Sequence, residues 1–544
     1  MVKKHNYDGW TEKDYQKEIG RLEKQKTYGL VWEEDKTKED IEDEGKFPVL
    51  KEVKNKEIKN KDSKYNLMIE GDNYHALAVL NFTHNKAIDV IYIDPPYNTG
   101  NNDFLYNDKF VEMEDSFRHS KWLSFMSKRL KLAKNLLKKE GIIFISIDDN
   151  EYAQLKILCD EIFTEKNYIS TIVWQKVYSP KNQSKRISID HEYVLCYARN
   201  INYADFKLLP RTEEMDKRYK NPDNDSRGLW QSGDLVANEE RKKGHYIVKG
   251  PKGDKFDAPL GKHWSVSQEN MNKLIKENRV WFGKNDKSFP RIKQFLSEVQ
   301  QGRKASTLFF HKEAGHTDEG KKELKMFFEQ SDELFSTPKP TRLIKNLLRL
   351  IKNKDALVLD FFVGSGTTAQ ATLSLNKEDK GNRKFIVCTN NENDICSKVC
   401  YPRIEKSIKG FVDTKNLKRD ALGGNLKYFK TDFVDSALTD QNKKKIVDKS
   451  TEMLCIKENA FKLIVDKKGF KIFKNTDLYL GIIFDDEKIE DFVKEAKNIK
   501  GKFSVYVFSF DDTVPKEEFV ELKGRVKLCP IPDVILHVYR RLFK

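Results

Sequence analysis

Residues 90–93 are the apolar run Val90-Ile91-Tyr92-Ile93, and the chain then reads Asp94-Pro95-Pro96-Tyr97. No other stretch constrains the fold as much. The run reads as a buried parallel strand. Two prolines force the chain out of the sheet at that strand's carboxyl end, the edge where open α/β sheets bind ligands. Asp94 offers a carboxylate acceptor, Pro95 leaves a carbonyl at a fixed angle, and Tyr97 supplies a flat ring. Two acceptors and a ring suit an exocyclic amine on a purine turned out of its stack. Asp-Pro also opens ordinary turns, and a tyrosine after a turn also caps cores. The tetrapeptide alone leaves both readings open.

A second strand-end signature stands far downstream. Ala356-Leu357-Val358-Leu359 reads as a strand, followed by Asp360-Phe361-Phe362-Val363-Gly364-Ser365-Gly366-Thr367-Thr368. Gly364 and Gly366 allow a tight turn and close backbone approach, with a helix starting near Thr367. Such a turn could hold a phosphate or a dinucleotide. No Gly-Lys-Ser/Thr follows, so the P-loop reading fails. Phe385-Ile386-Val387-Cys388 reads as the next strand. Glu392 stands after it, about where an acid grips ribose hydroxyls, with Asn390 and Asn391 as competitors. Gly71-Asp72-Asn73, after Leu67-Met68-Ile69, is a further strand-end loop or an ordinary turn.

The chain has 544 residues, too many for one compact core, so two to four domains are expected. Lys plus Arg number 100 against 85 Asp plus Glu, a net +15 that suits a polyanionic partner and also arises from lysine-rich composition alone. Seven scattered cysteines include Cys396 and Cys400 four apart, but no histidine or further cysteine pair stands at zinc spacing. No metal is expected, and reduced thiols in a cytoplasm are. Neither a signal-peptide core nor a run of about 18 apolar residues occurs, so the expectation is a soluble protein without a membrane.

Five regions are expected. Residues 1–64 are a charged arm with Trp10, Tyr15, Tyr28 and Trp32 as aromatic anchors and an apolar stripe at Ile19 and Leu22. Residues 65–200 alternate strands and helices. Trp122, Leu123, Met126, Leu130, Leu132, Leu136 and Leu137 give a helix face, Ile142 to Ile147 a buried strand, and Val194 to Tyr197 an edge strand. His191 before it reads as a structural hydrogen-bonder rather than a general base. Residues 201–325 are polar and broken by Gly and Pro. There Trp230, Tyr246, His263, Trp264, Trp281 and Phe282 are interleaved with bases, a composition that fits groove reading or a small domain's own core. Residues 326–410 complete the sheet. Residues 411–544 form a separate α+β domain with strands near 461–465, 480–484 and 503–508, a helix around 486–498, and a closing amphipathic helix.

The string DPPYNTG resembles motif IV of the amino-methyltransferases that modify adenine N6 in DNA; enzymes acting on cytosine N4 more often carry Ser where Asp94 stands. FxGSGTT resembles motif I of the S-adenosylmethionine fold, and Ser336-Thr337-Pro338-Lys339-Pro340-Thr341, with the helix pattern Leu343, Ile344, Leu347, Leu348, resembles motif X. Catalytic motif first and donor motif later is the permuted order of the β class, with a target-recognition region between the halves. The chain as a whole resembles the modification subunit of type III restriction–modification systems, through YGLVWE at 28–33, IEGDNYHAL at 69–77, FISIDDNE at 144–151 and Tyr539-Arg540-Arg541.

The resemblance implies an α/β fold: a circularly permuted Rossmann-like methyltransferase sheet with an inserted recognition domain. It implies Asp94, Pro95, Pro96 and Tyr97 as catalytic residues. S-adenosyl-L-methionine would be held by Asp72, Lys339, Asp360, Phe362, Gly364, Gly366, Thr367, Thr368 and Glu392, with Asp360 facing its cationic amino-acid part. It implies double-stranded DNA as substrate, a homodimer, and a separate motor–nuclease restriction subunit. This chain has no P-loop, and Asp512 with Glu521-Leu522-Lys523 is a spacing charged chains produce by chance. A solitary regulatory methyltransferase, a cytosine-N4 enzyme, and a catalytically silent DNA-binding subunit are the alternatives. Intact Asp94, Tyr97, Gly364 and Gly366 argue against the last.

Overall fold

A computed structural model describes residues 11–16, 32 and 45–542, apart from 61–64, 101–103, 107–108, 180–185, 212, 240, 242–243, 300–301, 330–334, 336, 438, 476–477, 510–513 and 532. Trp10, Ile19, Leu22, Tyr28, Ser336 and Asp512 lie outside the described residues. The described residues divide into two compact units, Lys207–Ala305 and the remainder.

The larger unit is built on a ten-stranded mixed sheet. Its strands are β1 (Lys46–Glu52), β2 (Tyr65–Glu70), β3 (Ile88–Ile93), β4 (Leu137–Ile147), β5 (Tyr168–Gln175), β6 (His191–Ala198), β7 (Leu308–Phe309), β8 (Leu357–Asp360), β9 (Lys384–Thr389) and β10 (Asn425–Asp435). Their spatial order is β1-β10-β2-β9-β8-β3-β4-β6-β5-β7. From β10 through β4 every pairing is parallel. Strand β3 is buried at every position, as a strand covered on both faces must be. β8 leads outward to β9 and β3 leads the other way to β4, so the border between β8 and β3 is a topological switch point.

Helices α1 (Asn73–Thr83), α2 (Arg118–Leu136), α3 (Thr341–Arg349), α4 (Thr367–Asp379) and α5 (Tyr401–Lys409) pack around this sheet. Trp122, Leu123, Met126, Leu130, Leu132 and Leu136 all lie on the buried side of α2. Leu137, expected on the same face, opens β4 instead.

Four expectations are corrected. Val194 to Tyr197 is not an edge: β6 runs antiparallel between β4 and β5, and its unbroken apolar run suits an interior strand. The inserted unit is Lys207–Ala305 rather than 201–325. Strand β7 pairs with β5, and the Trp174 Nε1 donates to the Gly315 carbonyl at 2.9 Å, so residues from 306 onward return to the sheet. The sheet also extends beyond 410, because the eleven-residue β10 lies in its midst. The carboxyl-terminal region forms a five-stranded sheet of its own, but Ile482, Tyr506 and Tyr539 share the core of the large unit. Finally, the end of the charged arm is strand β1, paired antiparallel with β10.

In the smaller unit, Trp230–Asp234, Arg291–Phe295 and Val280–Trp281 form a three-stranded sheet. Leu235, Val248, Trp264, Met271, Val280 and Phe282 make its core. Trp230, His263, Trp264 and Phe282 are buried, so these rings are structural rather than presented. Among the described residues of this unit, Leu229, Ile247, Leu260 and Phe289 are the large apolar side chains left exposed. Lys293 is buried, with its ammonium between Asp223 and Asp225, which satisfies a charge that burial would otherwise make costly.

Candidate active site

Parallel pairing brings the carboxyl ends of β2, β9, β8, β3 and β4 to one edge of the sheet. Antiparallel β6 brings its amino end there, with His191 and Glu192. Strand β5 ends at the same edge with Gln175, just before Lys176. Residues from distant parts of the chain therefore converge beyond the end of β3.

Asp94 is half-buried and accepts from two side chains. Lys339 Nζ donates to Oδ1 at 2.8 Å and to Oδ2 at 2.9 Å, and the Tyr97 hydroxyl donates to Oδ1 at 2.8 Å. The same hydroxyl lies 3.2 Å from Glu192 Oε2. Glu192 also pairs with Lys176 at 3.2 Å and Lys339 at 3.5 Å. The Lys339 ammonium sits 4.9 Å from the centre of the Tyr97 ring, a cation–π contact. Burial pushes the Glu192 carboxyl up, but Lys339 and Lys176 outweigh it and hold the group below its ordinary range. Burial opposes charge on Lys339, yet Asp94 and Glu192 hold its ammonium above the usual lysine value. Burial, then Asp94 and Glu192, push the Tyr97 phenol well up, so it remains a neutral donor.

The two prolines differ. Trp122 Nε1 donates to the Pro96 carbonyl at 2.8 Å, whereas no described donor reaches the Pro95 carbonyl. Asn98 then turns the chain with φ 57° and donates to Glu151 Oε1 at 2.6 Å. His119 Nδ1 lies 2.7 Å from the same oxygen. Buried Asn98 and Glu151, with the partly exposed His119, anchor the loop.

At the end of β8, Asp360 is 1% exposed. Thr368 Oγ1 donates to its Oδ2 at 2.5 Å and the Phe362 amide to its Oδ1 at 2.9 Å. Burial pushes this carboxyl up to about 7 against those two donors. Asp360 therefore closes the glycine loop from within and does not face outward. Gly364 and Gly366 have φ of 51° and 86°, the left-handed region that favours glycine. Arg403 on α5 clamps the loop from behind, reaching Ser365 Oγ and Thr367 Oγ1 at 3.0 Å and Gln370 at 2.8 Å. Glu323 stands 3.9 Å from Arg403 and accepts from the Thr341 amide at 2.9 Å at the start of α3.

Asp72 caps α1 through the Tyr74 amide at 2.7 Å and pairs with buried Arg129 at 3.2 Å. Asn73 Nδ2 donates to the Phe361 carbonyl at 3.0 Å, which joins this loop to the glycine loop. Phe362 is half-buried against Phe125. Glu392 is exposed in the turn Glu392–Asp394 after β9. Its competitor Asn391 accepts from the Ser397 amide at 2.9 Å.

Asp94, Tyr97 and Lys339 thus meet at one point. Lys339, expected with the donor-binding set, sits on the Asp94 carboxylate. Asp72, Phe362, Gly364, Gly366, Thr367 and Thr368 gather on the neighbouring loops, and Glu392 lies at the end of the next strand. His191 bonds Tyr193 at 3.0 Å, a structural role. Sequence reasoning missed Glu192, Lys176, Arg129, Glu323 and Arg403. The one available signal was Glu192, a charge within the otherwise apolar strand 191–198.

The loops fit a sulfonium amino-acid nucleoside. The glycine backbone admits close approach, and the Asp72 and Glu392 carboxylates stand after the neighbouring strands β2 and β9.

The DNA methylase family, of N6 and N4 methyltransferases, matches residues 88–399. The Mod subunit of the type III restriction-modification enzyme StyLTI of Salmonella typhimurium is 36% identical over 387 residues, covering 66% of this chain and 58% of that protein. The EcoP15I Mod subunit of Escherichia coli is 30% identical over 394 residues, covering 61% and 59%. The type II methyltransferase M.KpnI of Klebsiella pneumoniae is 32% identical over 364 residues, covering 61% and 82%. The chain thus spans 58–59% of the length of these two type III relatives.

Proposed function

Because the chain belongs to the DNA methylase family, we propose that it transfers a methyl group from S-adenosylmethionine to N6 of adenine in double-stranded DNA, as the modification subunit of a restriction–modification system. One observation carries the reading. The Asp94 carboxylate and the Pro95 carbonyl stand together at the end of β3, across the switch point from the glycine loop after β8. Asp94 in place of Ser favours adenine N6 over cytosine N4, and the names of the type III relatives agree with the modification role.

When bound, the donor supplies a methyl group on an activated sulfur, whose carbon–sulfur bond breaks with its electron pair as the amine nitrogen bonds the carbon. Gly364, Gly366, Asp72 and Glu392 would hold that donor. Asp94 and the Pro95 carbonyl would accept the two amine hydrogens, which favours a pyramidal nitrogen with its lone pair free. Positive charge grows on that nitrogen during transfer, so Asp94 stabilises the transition state more than the ground state. The Tyr97 ring stacks on the extruded base, and fixed positioning supplies much of the rest.

The test is mass spectrometry of nucleosides from a mixed-sequence duplex incubated with the chain and donor. N6-methyladenine is the expected product, absent with Asp94→Ala; N4-methylcytosine alone would overturn the base assignment. A homodimer is the proposed assembly, and light scattering at micromolar concentration checks it. A motor–nuclease subunit is the proposed partner; cleavage should appear only when it and ATP are added.

A further inference from the structure

We infer that Tyr97 and Glu192 form a path by which the proton displaced from the target amine leaves Asp94. The inference rests on the methyl-transfer reading and adds Glu192, which the family motif does not name, together with a second task for the Tyr97 hydroxyl.

The geometry is a continuous chain of short contacts. Asp94 Oδ1 lies 2.8 Å from the Tyr97 hydroxyl, and that hydroxyl lies 3.2 Å from Glu192 Oε2. One hydroxyl hydrogen faces two acceptors. While Asp94 is ionised, the hydrogen points to Asp94, the shorter contact. Once Asp94 holds a proton, its own O–H points at the phenol oxygen, and the Tyr97 hydroxyl turns to Glu192. Tyr97 is then both acceptor and donor.

The proton balance closes. The nitrogen gains a methyl group and a positive charge, and its N–H proton passes to the Asp94 carboxylate. The Asp94 proton moves to the Tyr97 oxygen as the Tyr97 hydroxyl proton moves to Glu192. Glu192, whose side chain is 12% exposed, releases a proton to water. Asp94 and Tyr97 end as they began. An amine conjugated to a purine ring holds an added proton very weakly, so a carboxylate of low basicity suffices, and low basicity speeds the release. The groups facing Glu192 are Lys339, Lys176, Tyr97, Asp148, Tyr92 and Asp94. The two ammonium groups keep it ionised between turnovers. They cannot take the proton themselves, because they already carry one.

A purely structural Glu192 would only hold Lys339 in place. Single-turnover methyl transfer to a duplex substrate separates the two, with Tyr97→Phe, Glu192→Gln and the double variant. Each single variant should lower the transfer rate by about 10- to 100-fold, while donor and DNA affinities stay within about threefold. The double variant should be no slower than the slower single one, because both cut the same path. A solvent deuterium effect on the wild-type rate should shrink in all three. Multiplicative losses in the double variant, or a full rate in Tyr97→Phe, would overturn the relay. Tyr97→Phe keeps the ring and carries the test even if Glu192→Gln fails to fold. A wild-type chain that forms no N6-methyladenine on any duplex overturns the methyl-transfer reading itself; activity without the non-additive pattern overturns the relay alone.

Discussion

Lys339 donates from one ammonium to both carboxylate oxygens of Asp94, at 2.8 and 2.9 Å, across 245 residues of chain. The contact ties the segment before α3 to the loop after β3. It also sets the charge state of the second carboxylate, since Lys339 and Lys176 together hold Glu192 below its ordinary value against its burial. Lys339→Met removes one of these two cations. Burial is then less opposed and the Glu192 carboxyl rises. The proton path needs Glu192 ionised, so the acid limb of the rate–pH profile should move to higher pH, by about one unit or more. Transfer should also fall about 100-fold near neutrality, from the lost alignment of Asp94. An unshifted acid limb in a folded variant would show that Lys339 only braces the loop.

Asp360 gives a stability prediction. Its folded pKa is raised to about 7 from an ordinary value of 3.8. Between those values the folded chain holds a proton that the unfolded chain has released. Stability from this group is therefore complete below about pH 4 and is lost as pH rises through about 7, at up to about 1.4 kcal/mol per pH unit within the window. Asp360→Asn, which keeps a polar group for Thr368 and Phe362, should flatten the stability–pH curve across that window. Denaturant midpoints of both proteins from pH 4 to 8 check this; parallel curves would mean Asp360 does not titrate in the window.

Gly366→Val should abolish donor binding. The position has φ 86°, and an added Cβ would already lie 3.3 Å from the Cys400 carbonyl. A branched side chain there is strained in its backbone and crowds the turn that admits the ligand. Calorimetry should show donor affinity lost by about 100-fold or more, in a chain whose circular dichroism is unchanged, because the change lies in one turn. Retained affinity would move the donor away from the loop after β8.

The parts read correctly from the sequence were those whose signal is local. Val90 to Tyr97 and Ala356 to Thr368 each announce a strand, its end and the turn beyond within one short segment, and the structure places both at the same sheet edge. Partners that meet only through topology were not legible. Glu192 reaches Tyr97 and Lys339 because β6 runs antiparallel, and nothing near residue 192 records that direction. Arg403 and Glu323 act on the glycine loop and on α3 from elements remote in the chain. Lys339 was found through its motif, but its contact with Asp94 was not, since a motif marks a segment and not the way its side chain points. The boundary at 410 failed for the same reason: β10 is a strand of ordinary pattern whose place in the large sheet depends on pairing with β1 and β2.

Recognition of the DNA sequence should travel with residues 207–305. That segment has its own three-stranded sheet and its own core around Trp264, Met271 and Phe282, so exchange with the matching segment of a relative leaves the catalytic sheet intact. The chimera should methylate a different sequence while adenine remains the target base, because Asp94, Pro95 and Tyr97 are untouched. The position of the cuts provides a control. A wider exchange of 201–325 also removes β7, the Gly315 carbonyl that accepts from Trp174, and Glu323, which caps α3 and faces Arg403. Losing that cap and a buried charge partner should cost several kcal/mol, so the wider chimera should melt lower or fail to fold. Sequencing of methylated sites, with melting curves for both chimeras, decides it. A narrow chimera that keeps the parent's recognition sequence would place specificity in the larger unit, and equal stability of the two chimeras would remove the boundary at 305.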